Sequence, residues 1–266
     1  MIVRPDQIGR RFDYLRRLVG TGLSFAAFGV GALVLSLFVF PALHLVVADR
    51  GKRVGVAQRI VRRAFRVFVR TMTVLGVIDV EVIGEAALQT DRGRLIVANH
   101  PSLIDVVLLV SLLRQTQCVV KHQNWRNPFM RGVLQATGYI RNDNDPEKLI
   151  NACADALRAG HNLVIFPEGS RTIPGRPRLL QRGFANIALA AEASVRLVTI
   201  RCSPTTLTKG EKWYEIPPTR ANFAVAVHEL INVRALVRDD PPSIAVRRLT
   251  RHVGQRFGEI LGDAGA

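Results

Sequence analysis

A histidine and an aspartate five positions apart are the residues of this chain best suited to acid–base chemistry. His100 and Asp105 lie in residues 99–105, of sequence NHPSLID, between a predicted strand and an apolar helix predicted over residues 103–113. On a continuous helix the two side chains would lie about 140° apart. Pro101 suits the first helical position and biases His100 towards an extended backbone, so the imidazole can fold back towards the Asp105 carboxylate. A carboxylate on one ring nitrogen leaves the other free as a general base.

A second polar block ends another predicted strand and has the sequence FPEGSRT over residues 166–172. Sheets of α/β proteins bind ligands at the carboxyl ends of their strands. Arg171 suits phosphate because a guanidinium group binds two oxygen atoms at once. Gly169 permits a tight backbone turn. Glu168 is predicted to orient either Arg171 or a bound substrate that acts as an acceptor. Since a His-x4-Asp pattern alone often arises by chance, this second block carries much of the weight.

Strand and helix patterns alternate around these blocks, which predicts an α/β sandwich around one sheet. The best defined helix covers residues 146–157, with Asp145 as its N-cap, Pro146 at its first position and Gly160 after its end. Further helices are predicted over 183–193 and 241–260. Short apolar or alternating runs predict strands at 80–83, 94–98, 118–120, 162–166, 195–201 and 222–227.

At its two polar blocks the chain resembles the glycerophospholipid acyltransferase family, which includes the bacterial 1-acylglycerol-3-phosphate acyltransferases. The family's hallmarks are a His-x4-Asp block followed by a Phe-Pro-Glu-Gly-(Ser/Thr)-Arg block, and both occur here in that order. The resemblance covers about residues 78–230. A looser likeness to the family's second motif includes Lys121 and the run 138–141, where the family places an arginine near the acceptor's phosphate. It points to Arg141.

The resemblance implies a single glycerolipid-acyltransferase-like α/β domain with a mixed sheet. The implied reaction moves an acyl group from acyl-CoA or acyl carrier protein to the hydroxyl of a lysophospholipid. The leading acceptor is 1-acylglycerol-3-phosphate, which would give phosphatidate. His100 and Asp105 would form the general-base pair. The implied substrate-binding residues are Lys121, Arg141, Glu168, Gly169, Ser170 and Arg171. No metal ion or other cofactor is implied, only the co-substrate.

Three alternatives stay open on the sequence alone. The acceptor could be another lyso-lipid, such as a lyso-aminolipid, or the acyl chain could be a specialised one. A membrane-bound hydrolase of thioesters or lipid esters would use the same base with water in place of the acceptor. A non-catalytic membrane adaptor would lack a catalytic residue, and none is missing from the two blocks.

The charge balance predicts an anionic partner. The chain has 37 Lys and Arg against 21 Asp and Glu, a net charge of +16. A polyanion of either kind, nucleic acid or an anionic lipid surface, would be attracted. No zinc-finger spacing, recognition helix or aromatic-rich basic strand is present, so we expect anionic membrane lipid and not nucleic acid as the partner.

The three cysteines are widely spaced in apolar surroundings, namely Cys118, Cys153 and Cys202. This spacing predicts neither disulfides nor a metal cluster and favours a reducing, cytoplasmic setting.

Residues 18–48 contain no Asp, Glu, Lys or Arg over 31 positions, whereas about 20 apolar residues suffice for a helix to cross a bilayer. The run is too long for the apolar core of a signal peptide and lacks a cleavage pattern, so we expect it to be retained. Both flanks are basic, and the more basic C-terminal flank favours a cytoplasmic location for residues 49–266. Gly29, Gly31 and Pro41 would also allow two shorter, re-entrant helices. The sequence leaves both arrangements open.

Residues 49–77 form an Arg-rich segment that we predict to be an amphipathic helix on anionic headgroups, with a solvated basic face as the alternative. Its apolar residues at helical spacings are Ile60, Ala64, Phe65, Phe68, Met72 and Leu75. The predicted organisation is therefore a basic segment over 1–17, a membrane anchor over 18–48, this helix over 49–77 and the acyltransferase domain over 78–266. The expected location is a bacterial inner membrane, with the catalytic domain in the cytoplasm.

Overall fold

The computed structural model of the chain describes residues 5–173 and 175–262, so the ends of the predicted N-terminal segment and catalytic domain lie outside the described residues. The N-terminal part is helical. Helix α1 spans Pro5–Val34 and continues through a π-helical turn, Leu35–Val39, into α2, Phe40–Val46; helix α3 spans Arg50–Val74.

A seven-stranded mixed sheet forms the centre of the molecule, in the order β1-β7-β6-β2-β5-β3-β4. Only the pairing of β6 with β7 is antiparallel. The strands are β1 (Ile78–Ile83), β2 (Leu95–Ala98), β3 (Thr116–Lys121), β4 (Ile140–Asn142), β5 (Asn162–Ile165), β6 (Val195–Ser203) and β7 (Ala221–Ile231). The α/β class and mixed sheet expected from the sequence are confirmed.

Helices connect most of these strands and cover both faces of the sheet. They are α4 (Glu85–Thr90), α5 (Asp105–Leu112), α6 (Pro128–Thr137), α7 (Pro146–Arg158), α8 (Gly183–Ala190), α9 (Val233–Leu236) and α10 (Pro242–Leu261). The predicted start of α7 is confirmed, because the Asp145 side chain accepts a hydrogen bond from the Lys148 backbone N–H at 3.1 Å. The strand prediction missed β4, a three-residue edge strand whose central residue is an exposed arginine.

Strand β2 shows how the sheet separates two apolar cores. Its four residues are all buried, and successive side chains of a strand point to opposite faces. Ile96 and Ala98 join the cluster that includes α3 and α5, whereas Leu95 and Val97 join the cluster that includes α7, α8 and α10. Because helices cover both faces, the strand is apolar throughout instead of alternating.

The parallel strands bring the polar blocks to one edge of the sheet. Strands β6, β2, β5, β3 and β4 all run in the same direction, so their carboxyl ends meet at the same edge. His100 follows β2, the 166–172 block follows β5, and Lys121 ends β3. This edge, which we call the catalytic edge, is where the candidate site must form.

The apolar N-terminal helix packs along the domain. The segment Gly9–Val46 is long and apolar enough to cross a membrane, and its most apolar 18-residue window has a mean hydropathy of 2.3 and is only 17% buried. Near its start, Arg17 is buried and donates hydrogen bonds to the carbonyl oxygens of Pro217 and Pro218 at 2.8 and 2.7 Å. Near its end, Ser36 lies so close to Gly132 that a Cβ on that glycine would clash with it. Contact with the domain therefore extends over about 28 Å of helix.

The amphipathic pattern of α3 predicted that its apolar face contacts lipid headgroups. The structure instead buries that face inside the protein. Phe65 stacks on Phe28 of α1 at 5.8 Å between ring centroids, and Phe68 meets the same ring edge-on at 5.1 Å. Met72 is buried in the core shared with α5. The apolar stripe of α3 is thus used to bind α1 and the sheet, and its exposed side carries a basic stripe of Arg59, Arg63, Arg66 and Arg70.

Candidate functional site

The two residues singled out for acid–base chemistry are in contact. The His100 Nδ1 atom lies 2.8 Å from the Asp105 Oδ2 atom. The Asp105 side chain is fully buried, and the His100 side chain is 16% exposed. With Nδ1 bonded to the carboxylate, Nε2 makes no hydrogen bond within the described ranges and is the ring atom available to a substrate. A neutral imidazole in this tautomer is a general base.

The contact forms through a different backbone path from the one expected. Helix α5 begins at Asp105 rather than at position 103, so Pro101 is not its first residue and residues 102–104 form a turn. The Asp105 carboxylate bends back across this turn and accepts the Ser102 backbone N–H at 2.7 Å. Ser102 is buried beneath the turn and does not cap the helix with its side chain. The turn therefore positions the carboxylate, and the imidazole approaches it.

Residues of the second block hold the His100 backbone on both sides. The Glu168 Oε1 atom accepts the His100 backbone N–H at 3.0 Å. The Thr172 backbone N–H donates to the His100 carbonyl oxygen at 2.7 Å, and the Thr172 hydroxyl donates to Glu168 Oε1 at 3.0 Å. Glu168 is almost buried and lies 3.6 Å from Arg178. The glutamate therefore contacts the His100 backbone, whereas the sequence predicted that it orders an acceptor or Arg171.

Two further residues position the histidine from other directions. The Phe166 ring stacks on the imidazole with 4.2 Å between centroids and 24° between planes. The Asn99 side chain donates to the Ile200 carbonyl oxygen at 2.8 Å and accepts the Ile200 backbone N–H at 2.7 Å, which ties the end of β2 to β6. Asn99 therefore links two strands at the start of the His100 block.

Burial opposes the charge on Asp105. Removal from water raises the pKa of this carboxyl, while the hydrogen bonds and the charge of His100 and the Ser102 N–H act in the opposite direction. One oxygen accepts both hydrogen bonds, and the other, Oδ1, is buried without a partner among the described residues. The carboxylate is held where it can stabilise an imidazolium ion.

The rest of the second block forms a turn against the segment after β6. Gly169 has a φ of +67°, so the expectation of a tight turn that needs glycine is confirmed. The Ser170 hydroxyl makes only a long contact with its neighbour's carbonyl. Arg171 donates from Nη1 to the carbonyl oxygens of Leu207 and Thr208, at 2.8 Å each. Leu207 O also accepts the Leu103 N–H at 3.1 Å, which places this guanidinium beside the turn of the His100 block.

Lys121 and Arg141 lie farther along the same edge. They belong to β3 and β4, which pair with each other, and β3 lies two strands from β2, or about 10 Å at the usual strand spacing. Lys121 is exposed. Arg141 forms an ion pair with Asp143 and approaches His122 Nδ1 at 2.5 Å. A ligand bound at His100 would therefore have to extend well along the edge before these two cations could contact it.

Thiol and metal chemistry find no support in the described residues. Burial raises the pKa of Cys118, Cys153 and Cys202 to about 12 each, so these thiols stay protonated at neutral pH and are poor nucleophiles. No group of three or more His, Cys, Asp and Glu side chains suited to a metal ion occurs in residues 5–173 and 175–262.

Four residues that shape the site, Asn99, Phe166, Thr172 and Arg178, were not predicted from the sequence. The first three lie within the two blocks or at their ends, so adjacency was a usable signal for them. Arg178 lies ten positions after Glu168 and meets it only because the loop returns to the edge.

This chain resembles several known proteins. A protein-family model named acyltransferase matches residues 79–203. Among curated proteins, the 1-acyl-sn-glycerol-3-phosphate acyltransferase of Helicobacter pylori is 37% identical over 83 residues, 29% of this chain and 35% of that protein. The corresponding protein of Borreliella burgdorferi is 26% identical, covering 61% of this chain and 70% of its own. The lyso-ornithine lipid O-acyltransferase of Pseudomonas aeruginosa is 34% identical over 46% and 47% of the two chains.

The similarity to a solved structure extends over 94% of the chain. The 1-acyl-sn-glycerophosphate acyltransferase PlsC of Thermotoga maritima aligns with a TM-score of 0.67 and 20% identity, over 94% of this chain and 99% of that one. At this identity the likeness establishes the fold, including the N-terminal helices. The sequence matches to the Chlamydomonas reinhardtii and Helicobacter pylori enzymes span 42% and 35% of those proteins.

The raised pKa of Asp105 predicts how stability changes with pH. The folded protein keeps this proton to higher pH than the unfolded chain, whose aspartate pKa is about 3.9. The free energy of unfolding therefore falls as pH rises above that value. Asp105→Asn removes this contribution, so we expect a flatter profile between about pH 4 and pH 7 and a loss of at most about 1 kcal/mol at neutral pH. Urea unfolding across this range measures both.

Asp145→Asn is a control of opposite sign. Hydrogen bonds from Lys148 lower the pKa of Asp145, so its carboxylate makes the free energy of unfolding rise with pH only up to the unfolded value of about 3.9, and Asp145→Asn should leave the slope between about pH 4 and pH 7 unchanged. A profile of the Asp105 variant that runs parallel to that of the unsubstituted protein would contradict the assignment of a costly buried charge.

Proposed function

Because a protein-family model named acyltransferase matches residues 79–203, we propose that the chain transfers an acyl group from a thioester to the hydroxyl of a lysophospholipid. The observation that carries this proposal is the 2.8 Å contact between His100 Nδ1 and the buried Asp105 carboxylate, which leaves Nε2 as a base at the catalytic edge. The proposed acceptor is 1-acylglycerol-3-phosphate, and the product is phosphatidate.

The chemistry needs one base and one leaving group. His100 Nε2 takes the proton of the acceptor hydroxyl while its oxygen attacks the thioester carbon, and Asp105 stabilises the imidazolium that forms. The carbon–sulfur bond then breaks, an ester forms, and the imidazolium returns the proton to the departing thiolate. Because the three thiols are protonated and no serine hydroxyl bonds to His100 in the described residues, direct transfer without an acyl-enzyme is the simplest course.

Two basic regions support a phosphate-bearing acceptor and a phosphate-bearing donor. Arg171 lies beside the His100 turn, where Nη1 is bonded to two carbonyl oxygens, and its remaining N–H groups can bind phosphate. Lys121 and Arg141 lie about 10–15 Å from β2 along the edge, a distance that a lipid headgroup or the carrier arm of a thioester can bridge. Both acyl-CoA and acyl carrier protein present phosphate and remain candidate donors.

A zwitterionic lyso-aminolipid is a second candidate acceptor. Asp143 forms an ion pair with Arg141 and lies 3.1 Å from His122 Nδ1. A dianionic phosphate would have to compete with this carboxylate for Arg141, whereas an acceptor with both an ammonium and a carboxylate group can bind both partners. Similarity to the lyso-ornithine lipid O-acyltransferase agrees with this option.

We place the protein at a membrane. A stripe of α1 exposes large apolar side chains at helical spacing, namely Phe12, Leu15, Val19, Leu23, Val30 and Val34. Because the N-terminal helix contacts the domain between Arg17 and Ser36, we propose that it lies along one leaflet and does not separate from the domain to span the bilayer. An inner membrane with the catalytic domain in the cytoplasm is part of this proposal.

His100→Ala tests the proposed reaction. We expect transfer from acyl-CoA or acyl carrier protein to lysophosphatidate to fall by about 10²–10⁴-fold, the usual contribution of a general base. Mass spectrometry of lipids after incubation with mixed acceptors and both donors measures the transfer and identifies the preferred pair. His252→Ala is the control, since this α10 histidine forms no hydrogen bond or ion pair with a site residue among the described residues. Full transfer by the His100 variant would refute the mechanism, and free fatty acid released without lysolipid would indicate a hydrolase.

Thr172 is expected to act through the geometry of His100. Thr172→Val removes the hydroxyl that bonds Glu168 and keeps the side-chain shape. We expect kcat to fall by up to about a hundredfold because the base is misplaced, with KM for the acceptor unchanged. Thr172→Ser should restore kcat. A raised KM with normal kcat would instead indicate that the hydroxyl contacts substrate.

Asp143→Asn separates the two candidate acceptors. The substitution leaves Arg141 without its carboxylate partner, so kcat/KM for lysophosphatidate should rise relative to that for a zwitterionic lyso-aminolipid. A change of roughly two- to fivefold is expected from a half-exposed ion pair. Competition between the two acceptors in one vesicle preparation measures the ratio. A ratio that does not move would show that Arg141 does not contact the headgroup.

A further inference from the structure

Two aromatic side chains from different parts of the chain border one side of α1. A Cβ placed on Gly22 would lie 3.2 Å from the Trp213 ring, and one on Gly29 would lie 3.9 Å from the Phe129 ring. The two glycines are seven residues apart, which is about two helical turns, so both contacts are on the same side of the helix. Trp213 belongs to the segment between β6 and β7, and Phe129 belongs to α6.

Nearly half of each of these aromatic side chains is exposed to solvent. Phe129, Trp213 and Tyr214 are 44, 46 and 44% exposed, and Trp213 meets Tyr214 edge-on at 5.6 Å. We call these three residues the aromatic rim. The rim runs beside the exposed apolar stripe of α1, because Gly22 precedes Leu23, a stripe residue that is 58% exposed. Large apolar surfaces of this kind mark an interaction site, and aromatic rings at their border are typical of a membrane interface.

The rim lies at the catalytic edge of the sheet. Phe129 comes shortly after the end of β3, and Trp213 comes after the end of β6; both strands run parallel to β2, which ends just before His100. The segment after β6 also holds the site together. The carbonyl oxygens of Leu207 and Thr208 bind Arg171, so the same segment supports a site residue at one end and displays Trp213 farther along.

Exposed cations accompany the rim. Arg126 and Arg131 flank Phe129, and Lys209 and Lys212 precede Trp213 in a stretch that also contains Glu211 and Glu215. None of the four forms an ion pair with a carboxylate in the part of the chain that the structure describes. Lys212 lies over the Tyr214 ring at 5.5 Å. Basic side chains beside exposed aromatic rings complement anionic headgroups, which attract each nearby Lys or Arg.

From these observations we propose that the aromatic rim sits in the headgroup layer of an anionic phospholipid bilayer and turns the catalytic edge towards that bilayer. Helix α1 presents its exposed apolar stripe to the membrane, because its other side is packed on the domain. The rim extends this surface towards the site, because it comes from two connections that follow the carboxyl ends of the catalytic strands. A lipid acceptor could then reach His100 without leaving the surface. This docking surface goes beyond acyl transfer and stands independently of it.

The chain has two tryptophans, Trp125 and Trp213, so fluorescence can report on the rim alone. Trp125→Phe leaves Trp213 as the only tryptophan of the full chain. We expect its emission to shift to the blue when the protein moves from detergent into phosphatidylcholine–phosphatidylglycerol vesicles. Lipids brominated near the headgroup should quench it more strongly than lipids brominated near the chain end. Neither measurement depends on activity.

Trp213→Phe is the matched control, in which Trp125 reports the background. Trp125 is partly buried, with its ring N–H enclosed, and should be quenched less than Trp213. Trp213 emission that is insensitive to brominated lipid, while the protein floats with the vesicles, would overturn the proposal and show that α1 binds the membrane without the rim. The outcome of these quenching experiments does not depend on whether the protein transfers acyl groups.

The anionic character of the surface is tested by replacing the nearby lysines. Quenching of Trp213 should be stronger in vesicles with phosphatidylglycerol than in vesicles of phosphatidylcholine alone. In the Trp125→Phe background, Lys209→Gln with Lys212→Gln should remove this difference. Equal quenching of the lysine-containing protein in both vesicle types would refute an anionic partner for the rim.

Discussion

The hydrogen bond between His100 and the buried carboxylate of Asp105 is the contact on which the candidate site depends. A carboxylate without water is costly unless it is paired and hydrogen-bonded, and this one receives the imidazole and the Ser102 N–H on a single oxygen. The turn after β2 presents that N–H. The stacked Phe166 ring and the bonds to both backbone groups of His100 then keep the imidazole from moving away.

The sheet provides this arrangement because neighbouring parallel strands end together. Strand β5 lies beside β2, so Glu168 and Thr172 reach the His100 backbone directly. Glu168 thereby becomes a positioning residue for His100. Arg171 is partly occupied by backbone carbonyls and Arg141 by Asp143, so each has fewer free donors than its sequence motif suggests.

The N-terminal helices belong to the same structural unit as the site. Arg17 is buried although it begins an apolar segment, because its guanidinium satisfies the Pro217 and Pro218 carbonyl oxygens and pairs with Asp13. The segment that carries those prolines continues back to Leu207, whose carbonyl receives Arg171. Contacts from the apolar helix to the site therefore pass through one connection between two strands.

By itself the sequence determined the α/β class, the apolar N-terminal helix and the two polar blocks. These features are encoded locally, in strand and helix periodicities and in residue spacings. Only the tertiary structure decided which residues meet across the chain. Glu168 binds His100 from 68 positions away, and the apolar face of α3 is buried against α1. Strand order and helix packing fix these pairings, and both depend on the burial of distant residues together, which no local pattern specifies.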